Sequence, residues 1–150
     1  EPLPENAAWL REQGVPCFTA AVGDHNGWCH LLVPEGDERW TGAHAEEGTG
    51  TMLWTLAHLV GLHGPFDVCK CDIEGGEYAT FLHASDETLQ RIGYLAIECH
   101  EWTVDGQERR PGIGHRPGTP MFATPAELAT RLERTHRGEL GDGNIFGERR

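Results

Sequence analysis

Two short segments of the chain combine acidic, basic and imidazole side chains in patterns that could do chemistry. VCKCDIEGGEY (68–78) contains the only lysine, Lys70, followed by Asp72 and Glu74, and YLAIECHEW (94–102) contains Glu98 and His100. A carboxylate or an imidazole can take a proton from a hydroxyl group, and carboxylate oxygens can hold a hard cation such as Mg²⁺. We therefore take these five residues as the candidate catalytic residues.

The elements around these residues predict how they are positioned. FDVCKCDI (66–73) and GYLAIECHEW (93–102) are typical of buried strands, and GGEYATFLHA (75–84) turns into a helix between them. A strand–helix–strand unit predicts a parallel sheet with helices on both faces, and ligands of such sheets bind beyond the carboxyl ends of the strands. If the two strands are neighbours, the acidic and imidazole side chains converge on one site.

Lys70 precedes Asp72 by two residues, so both side chains lie on the same side of the strand. A lysine in an apolar run is costly to bury unless it is paired. We expect its ammonium to hold the acids in place, the alternative being a side chain that extends to solvent at the sheet edge.

The rest of the chain predicts further α and β elements of one α/β domain. Helices are expected at 4–14 and 124–136, strands at 16–24, 27–34 and 144–149, and loops at 35–50 and 103–122, whereas 51–64 fits either a strand or a helix. The two loops are expected to shape the choice of substrate, because loops carry much of a protein's specificity.

Composition excludes several classes of partner. Asp and Glu number 24 against 12 Lys and Arg, so the net charge is −12. That charge argues against a nucleic-acid binder and against docking on anionic lipid. No apolar run reaches the roughly 18 residues of a membrane helix, and no signal-peptide pattern opens the chain.

Five cysteines, an odd number without the spacing of a disulfide framework, favour a reducing, cytoplasmic setting. Cys69, Cys71 and Cys99 fall on the strand face opposite Lys70 and Glu98. They could bind zinc, but buried thiols on a strand face are more often inert packing residues. A Cys99–His100 nucleophile is disfavoured, because neighbours on a strand point to opposite faces.

The two segments together resemble the FkbM-type methyltransferase family. Its usual signature is K-x-D-x-E-G-x-E followed by a strand with E-x-H. Lys70, Asp72, Glu74, Gly75 and Glu77 match the first part, and Glu98 and His100 match the second. The likeness is specific over 66–102 and looser in EPLPENAAWLREQG, AAVGDHNG and NIFGER.

The resemblance implies a class I methyltransferase (Rossmann-like) sheet that uses S-adenosylmethionine. It also implies methyl transfer to a hydroxyl oxygen of a sugar, polyketide or similar small molecule. In that frame Glu1 would bind the ribose hydroxyls of the cofactor, Ala21 and Val22 would lie near its adenine, and Asp72 would sit beside the methyl group and the acceptor.

The glycine-rich first motif of this family lies upstream of the segment that EP opens here. We therefore expect residues 1–150 to be the C-terminal portion of a single methyltransferase domain, with a sheet incomplete at its N-terminal side and weak cofactor binding in isolation. The upstream DNA tests this, since a D-x-G-x-x-x-G-like segment would restore the enzyme, whereas a nearby start codon would favour a non-catalytic α/β binding module.

Methyl transfer requires a proton acceptor, and the sequence offers His100 or Asp72, oriented by Glu98, with Lys70 and Glu74 bracing the site. A second version places Mg²⁺ on Asp72, Glu98 and His100, where it would lower the pKa of the hydroxyl.

Overall fold

The computed structural model describes residues 1–32, 44–73, 76–100 and 124–150. It is a mixed α/β structure, as the sequence predicts. Five helices occur in the described residues: α1 (Pro4–Glu12), α2 (Leu56–His63), α3 (Glu77–Leu82), α4 (Asp86–Leu89) and α5 (Pro125–Leu132). The strands are β1 (Ala20–Gly23), β2 (Gly27–Leu32), β3 (His44–Glu47), β4 (Thr51–Thr55), β5 (Phe66–Cys71), β6 (Ile92–Glu98), β7 (His136–Gly141) and β8 (Asn144–Arg149).

The strands form two four-stranded sheets rather than one parallel sheet. The first sheet has the order β1-β4-β2-β3 and the second β5-β6-β8-β7. Each contains one parallel pair, β1 with β4 and β5 with β6, and its other pairs are antiparallel. The expectation of a single parallel sheet was therefore wrong. Tight connections such as the two residues between β7 and β8 can join only antiparallel neighbours.

The ambiguous segment 51–64 contains both of the expected elements. Its first five residues form β4, and α2 follows directly. Thr55 ends the strand and caps the helix, because its hydroxyl accepts a hydrogen bond from the backbone N–H of His58 at 3.0 Å. The predicted loop 35–50 includes β3, whereas residues 33–43 and the predicted loop 103–122 lie outside the described residues.

The main hydrophobic core lies between one face of the second sheet and the helices. Its buried members from the sheet are Cys71, Ile92, Leu95, Ile97 and Ile145, and α2, α3, α4 and α5 contribute Leu56, Val60, Phe81, Leu89, Leu128 and Leu132. On the opposite face Val68, Tyr94 and Phe146 are exposed. The expectation of helices on both faces is thus not met within the described residues, where the packed helices lie on one side.

Helix α5 begins as its sequence predicts. The Thr124 hydroxyl accepts from the backbone N–H of Glu127, and the Glu127 carboxylate accepts from the backbone N–H of Thr124 at 2.7 Å. This capping box, with Pro125 in the first turn, fixes the start of the helix. Leu128 and Leu132 then face the core together, one turn apart.

None of the helices in the described ranges could cross a membrane. The longest of them, α1, has nine residues, whereas a transmembrane helix needs about 20.

Candidate functional site

Strands β5 and β6 are parallel neighbours, and this pairing brings their carboxyl ends together. Lys70 pairs with Ala96 and Cys71 with Ile97. Asp72 therefore follows one strand at the level where Glu98 ends the other. Both segments then leave the sheet on the same edge, where loops of α/β proteins form ligand sites.

Lys70 binds both acids. Its Nζ lies 2.6 Å from Oδ2 of Asp72 and 3.6 Å from Oε2 of Glu98. The ammonium, above all by its hydrogen bond to Asp72, holds the pKa of that carboxyl below its usual range. The same hydrogen bond raises the pKa of Lys70. Lys70 thus combines features of both expectations, because its ammonium contacts the acids while its side chain extends to solvent on the edge strand β5.

His100 stands next to the same acids. Its Nε2 lies 3.7 Å from Oδ1 of Asp72 and 3.8 Å from Oε1 of Glu98. Its Nδ1 lies 3.0 Å from Oε1 of Glu77. The imidazole side chain is partly buried, with 23% of it exposed.

Glu77 is the site residue whose role the sequence reasoning missed. It is fully buried at the first turn of α3, where its Oε1 also accepts the backbone N–H of Ile73 at 2.9 Å. Glu98 was expected to orient His100, but the shorter contact comes from Glu77. The signal was present, since Glu77 is the last acid of the K-x-D-x-E-G-x-E pattern.

The structure thus brings together four of the five candidate catalytic residues: Lys70, Asp72, Glu98 and His100. The fifth, Glu74, lies outside the described residues. Ligand atoms of Asp72, Glu98 and His100 lie within 4.8 Å of one another, close enough for a shared cation.

The residues expected to bind the cofactor lie on other elements. Ala21 and Val22 belong to β1, whose carboxyl end approaches the start of α3: a Cβ added at Gly76 would lie 3.6 Å from the Val22 carbonyl oxygen. Glu1 lies beside α1, where its Oε1 accepts from the backbone N–H of Leu3 at 2.9 Å. Among the described contacts, none joins Glu1 to the four clustered residues.

The cysteines of the strands face the core. Burial raises the pKa of the Cys69 thiol to about 11 and that of Cys71 well above its ordinary value. Burial thus favours the protonated form of both thiols, and a protonated thiol is a poor nucleophile. Cys99 is also a core residue, and it is His100 that turns to the acidic cluster.

Replacing Lys70 tests the electrostatics of this cluster. In Lys70→Met the pKa of Asp72 should rise toward the ordinary value of about 3.9, because its hydrogen-bonded cation is gone. Stability should change by less than about 1 kcal/mol, because the pair is largely exposed. Carboxyl titration by NMR measures the pKa. Arg137→Met, an exposed cation on β7, should leave Asp72 unchanged, and an unshifted Asp72 in Lys70→Met would contradict the pairing.

No protein-family model, curated protein or solved structure matches this chain.

Proposed function

We propose that this chain carries out S-adenosylmethionine-dependent methyl transfer to a hydroxyl oxygen of a sugar, polyketide or other small molecule, on a class I methyltransferase fold. One observation carries the proposal: Lys70, Asp72, Glu98 and His100 meet at the carboxyl ends of two adjacent parallel strands. These residues supply a proton acceptor and its electrostatic supports at the edge where α/β proteins bind ligands.

The charges of the cluster suit a cationic cofactor. Three carboxylates, those of Asp72, Glu77 and Glu98, surround one ammonium and one imidazole. When bound, S-adenosylmethionine supplies an electrophilic methyl group on a positively charged sulfur, and the excess negative charge favours holding that sulfur here. The Asp72 carboxylate would lie beside the positively charged sulfur of the cofactor.

The remaining contacts to the cofactor would come from β1 and the N-terminal segment. Ala21 and Val22 would line the adenine site, because the carboxyl end of β1 adjoins the start of α3. Glu1 has one carboxylate oxygen engaged near α1, so binding of the ribose would fall to Oε2.

His100 is the better of the two candidates for the proton acceptor. Asp72 is hydrogen-bonded to Lys70 at 2.6 Å, and its lowered pKa makes it a weak base. Nε2 of His100, by contrast, lies 3.7 Å from the nearest of the two strand-end carboxylates, and an imidazole nitrogen that carries no hydrogen can accept a proton. Asp72, Lys70 and Glu98 then position the acceptor hydroxyl and balance the charge that forms on the ring.

Lys70 also argues for the version without Mg²⁺. Its ammonium already contacts two of the three ligands that the metal would use, at 2.6 Å and 3.6 Å. A divalent cation there would have to displace the lysine or accept a like charge beside it. The proposed reaction therefore relies on His100 and Lys70.

Calorimetric titration of the intact protein with S-adenosylhomocysteine tests the function. Binding in the micromolar range, with transfer of a labelled methyl group to a hydroxyl acceptor that persists in EDTA, is the expected result. Absence of binding would favour the non-catalytic binding module. Loss of transfer in EDTA that Mg²⁺ restores would instead support the metal-assisted version.

A further inference from the structure

The buried contact between Glu77 and His100 fixes how the imidazole can act. Oε1 of Glu77 accepts a hydrogen bond from the Ile73 backbone N–H at 2.9 Å and lies 3.0 Å from Nδ1 of His100. Because this oxygen already acts as the acceptor for the Ile73 N–H, we infer that it accepts from His100 as well and that Nδ1 carries the hydrogen. In the neutral ring the lone pair is then on Nε2.

Nε2 is turned toward the carboxylates at the two strand ends. It is the ring nitrogen nearest to Asp72 and Glu98, and both of those carboxylates are partly exposed. Glu77, by contrast, is fully buried, so it is shielded from any substrate. The imidazole thus spans from a buried carboxylate on α3 to the exposed rim of the sheet.

We propose that Glu77 is a positioning residue that holds His100 as the Nδ1–H tautomer and makes Nε2 the proton acceptor of the site. A buried carboxylate that orients a histidine in this way occurs in serine hydrolase triads. The role of Nε2 as a proton acceptor rests on the proposed methyl transfer. The hydroxyl proton passes to Nε2 as the hydroxyl oxygen bonds to the methyl carbon, the electrons of the broken methyl–sulfur bond stay on sulfur, and the imidazolium returns the proton to water.

The location of Glu77 explains why an acid tolerates full burial. It lies at the first turn of α3, and Phe81, one turn later, anchors that helix in the core. The Ile73 N–H and the His100 N–H replace part of the hydration that the carboxylate loses. These two contacts also tie the end of β5 to the segment that follows β6, so the carboxylate fixes the ring relative to both strand ends.

Nitrogen NMR of the intact protein labelled with ¹⁵N-histidine tests the tautomer directly and needs neither cofactor nor acceptor. The His100 signals are identified by their loss in His100→Gln. At pH 8 the expected state is a protonated Nδ1 and a bare Nε2. A hydrogen on Nε2 instead, or hydrogens on both nitrogens, would overturn the assignment. This test requires no substitution of Glu77.

A double-mutant cycle separates positioning from structural support. Glu77→Gln should lower kcat about 10- to 100-fold with little change in KM, and should add less than about twofold to the loss in His100→Gln. Equal losses in both backgrounds would overturn the proposal. Glu139→Gln, an exposed acid on β7, is the matched control. The expected tautomer without any methyl transfer would refute the proposed function alone, whereas transfer with the opposite tautomer would refute this inference alone.

Discussion

His100→Gln should lower kcat for methyl transfer by about 10²- to 10⁴-fold, the usual contribution of a general base. Glutamine can fill the space of the imidazole but cannot accept a proton at neutral pH. KM should change little, because the acceptor would still meet Asp72, Lys70 and Glu98. Initial rates with S-adenosylmethionine carrying a radiolabelled methyl group, over a series of sugar and phenol hydroxyl acceptors, measure the effect.

The matched control is His30→Gln. His30 is exposed on β2 in the other sheet and contacts none of the four clustered residues in the described contacts. It should keep the wild-type rate. If His100→Gln retained more than half of the activity, the proton would have to leave by another route and His100 would lose its assigned role.

Phe81→Ala should reduce the free energy of unfolding by about 3–5 kcal/mol. The ring is completely buried in the main core, to which the second sheet and the helices α2 to α5 contribute side chains. Its removal deletes a large apolar contact and leaves a cavity that the neighbouring helices can fill only in part. Urea denaturation monitored by circular dichroism gives the change.

Phe146→Ala provides the comparison on the opposite face of the same sheet. Its side chain is 45% exposed, so the loss should be about 1 kcal/mol. Similar costs for the two substitutions would show that the core does not lie on the face assigned to it. Phe81→Ala should also loosen Glu77, because both residues belong to α3.

The convergence of the charged residues could be predicted because it depends on local patterns. The side chains alternate along 66–73, which places Lys70 on the face opposite Cys69 and Cys71. A helical connection, predicted as one helix and formed by α3 and α4, favours a parallel return from β5 to β6, and the observed register then aligns Asp72 with the end of the neighbouring strand.

The sheet arrangement could not be predicted in the same way, because strand partners depend on contacts remote in sequence. Strand β7 was missed for a clear reason: after His136 every residue of the strand is exposed, so it lacks an apolar alternation. The turn after β7 does have a sequence signal, because Asp-Gly is a typical pair for a two-residue hairpin turn. Asp142 and Gly143 have the positive φ angles that such a turn requires, 47° and 77°.

The contact between Glu77 and His100 was also hidden in the sequence. The two residues are 23 positions apart, and their meeting depends on where α3 starts after β5. Alternation along a strand orients His100 but gives no information about a side chain on the following helix. Glu98, two residues away in the predicted strand 93–102, was therefore the more obvious choice of orienting residue.

A crystal structure of the intact protein with bound S-adenosylhomocysteine would show whether Asp72 and His100 share one ligand site. We predict that the sulfur lies beside Asp72, that Nε2 of His100 faces the same space and that Lys70 remains paired with the Asp72 carboxylate. Binding of the ligand away from the carboxyl ends of β5 and β6, or separation of residues 72 and 100 onto different surfaces, would contradict this prediction.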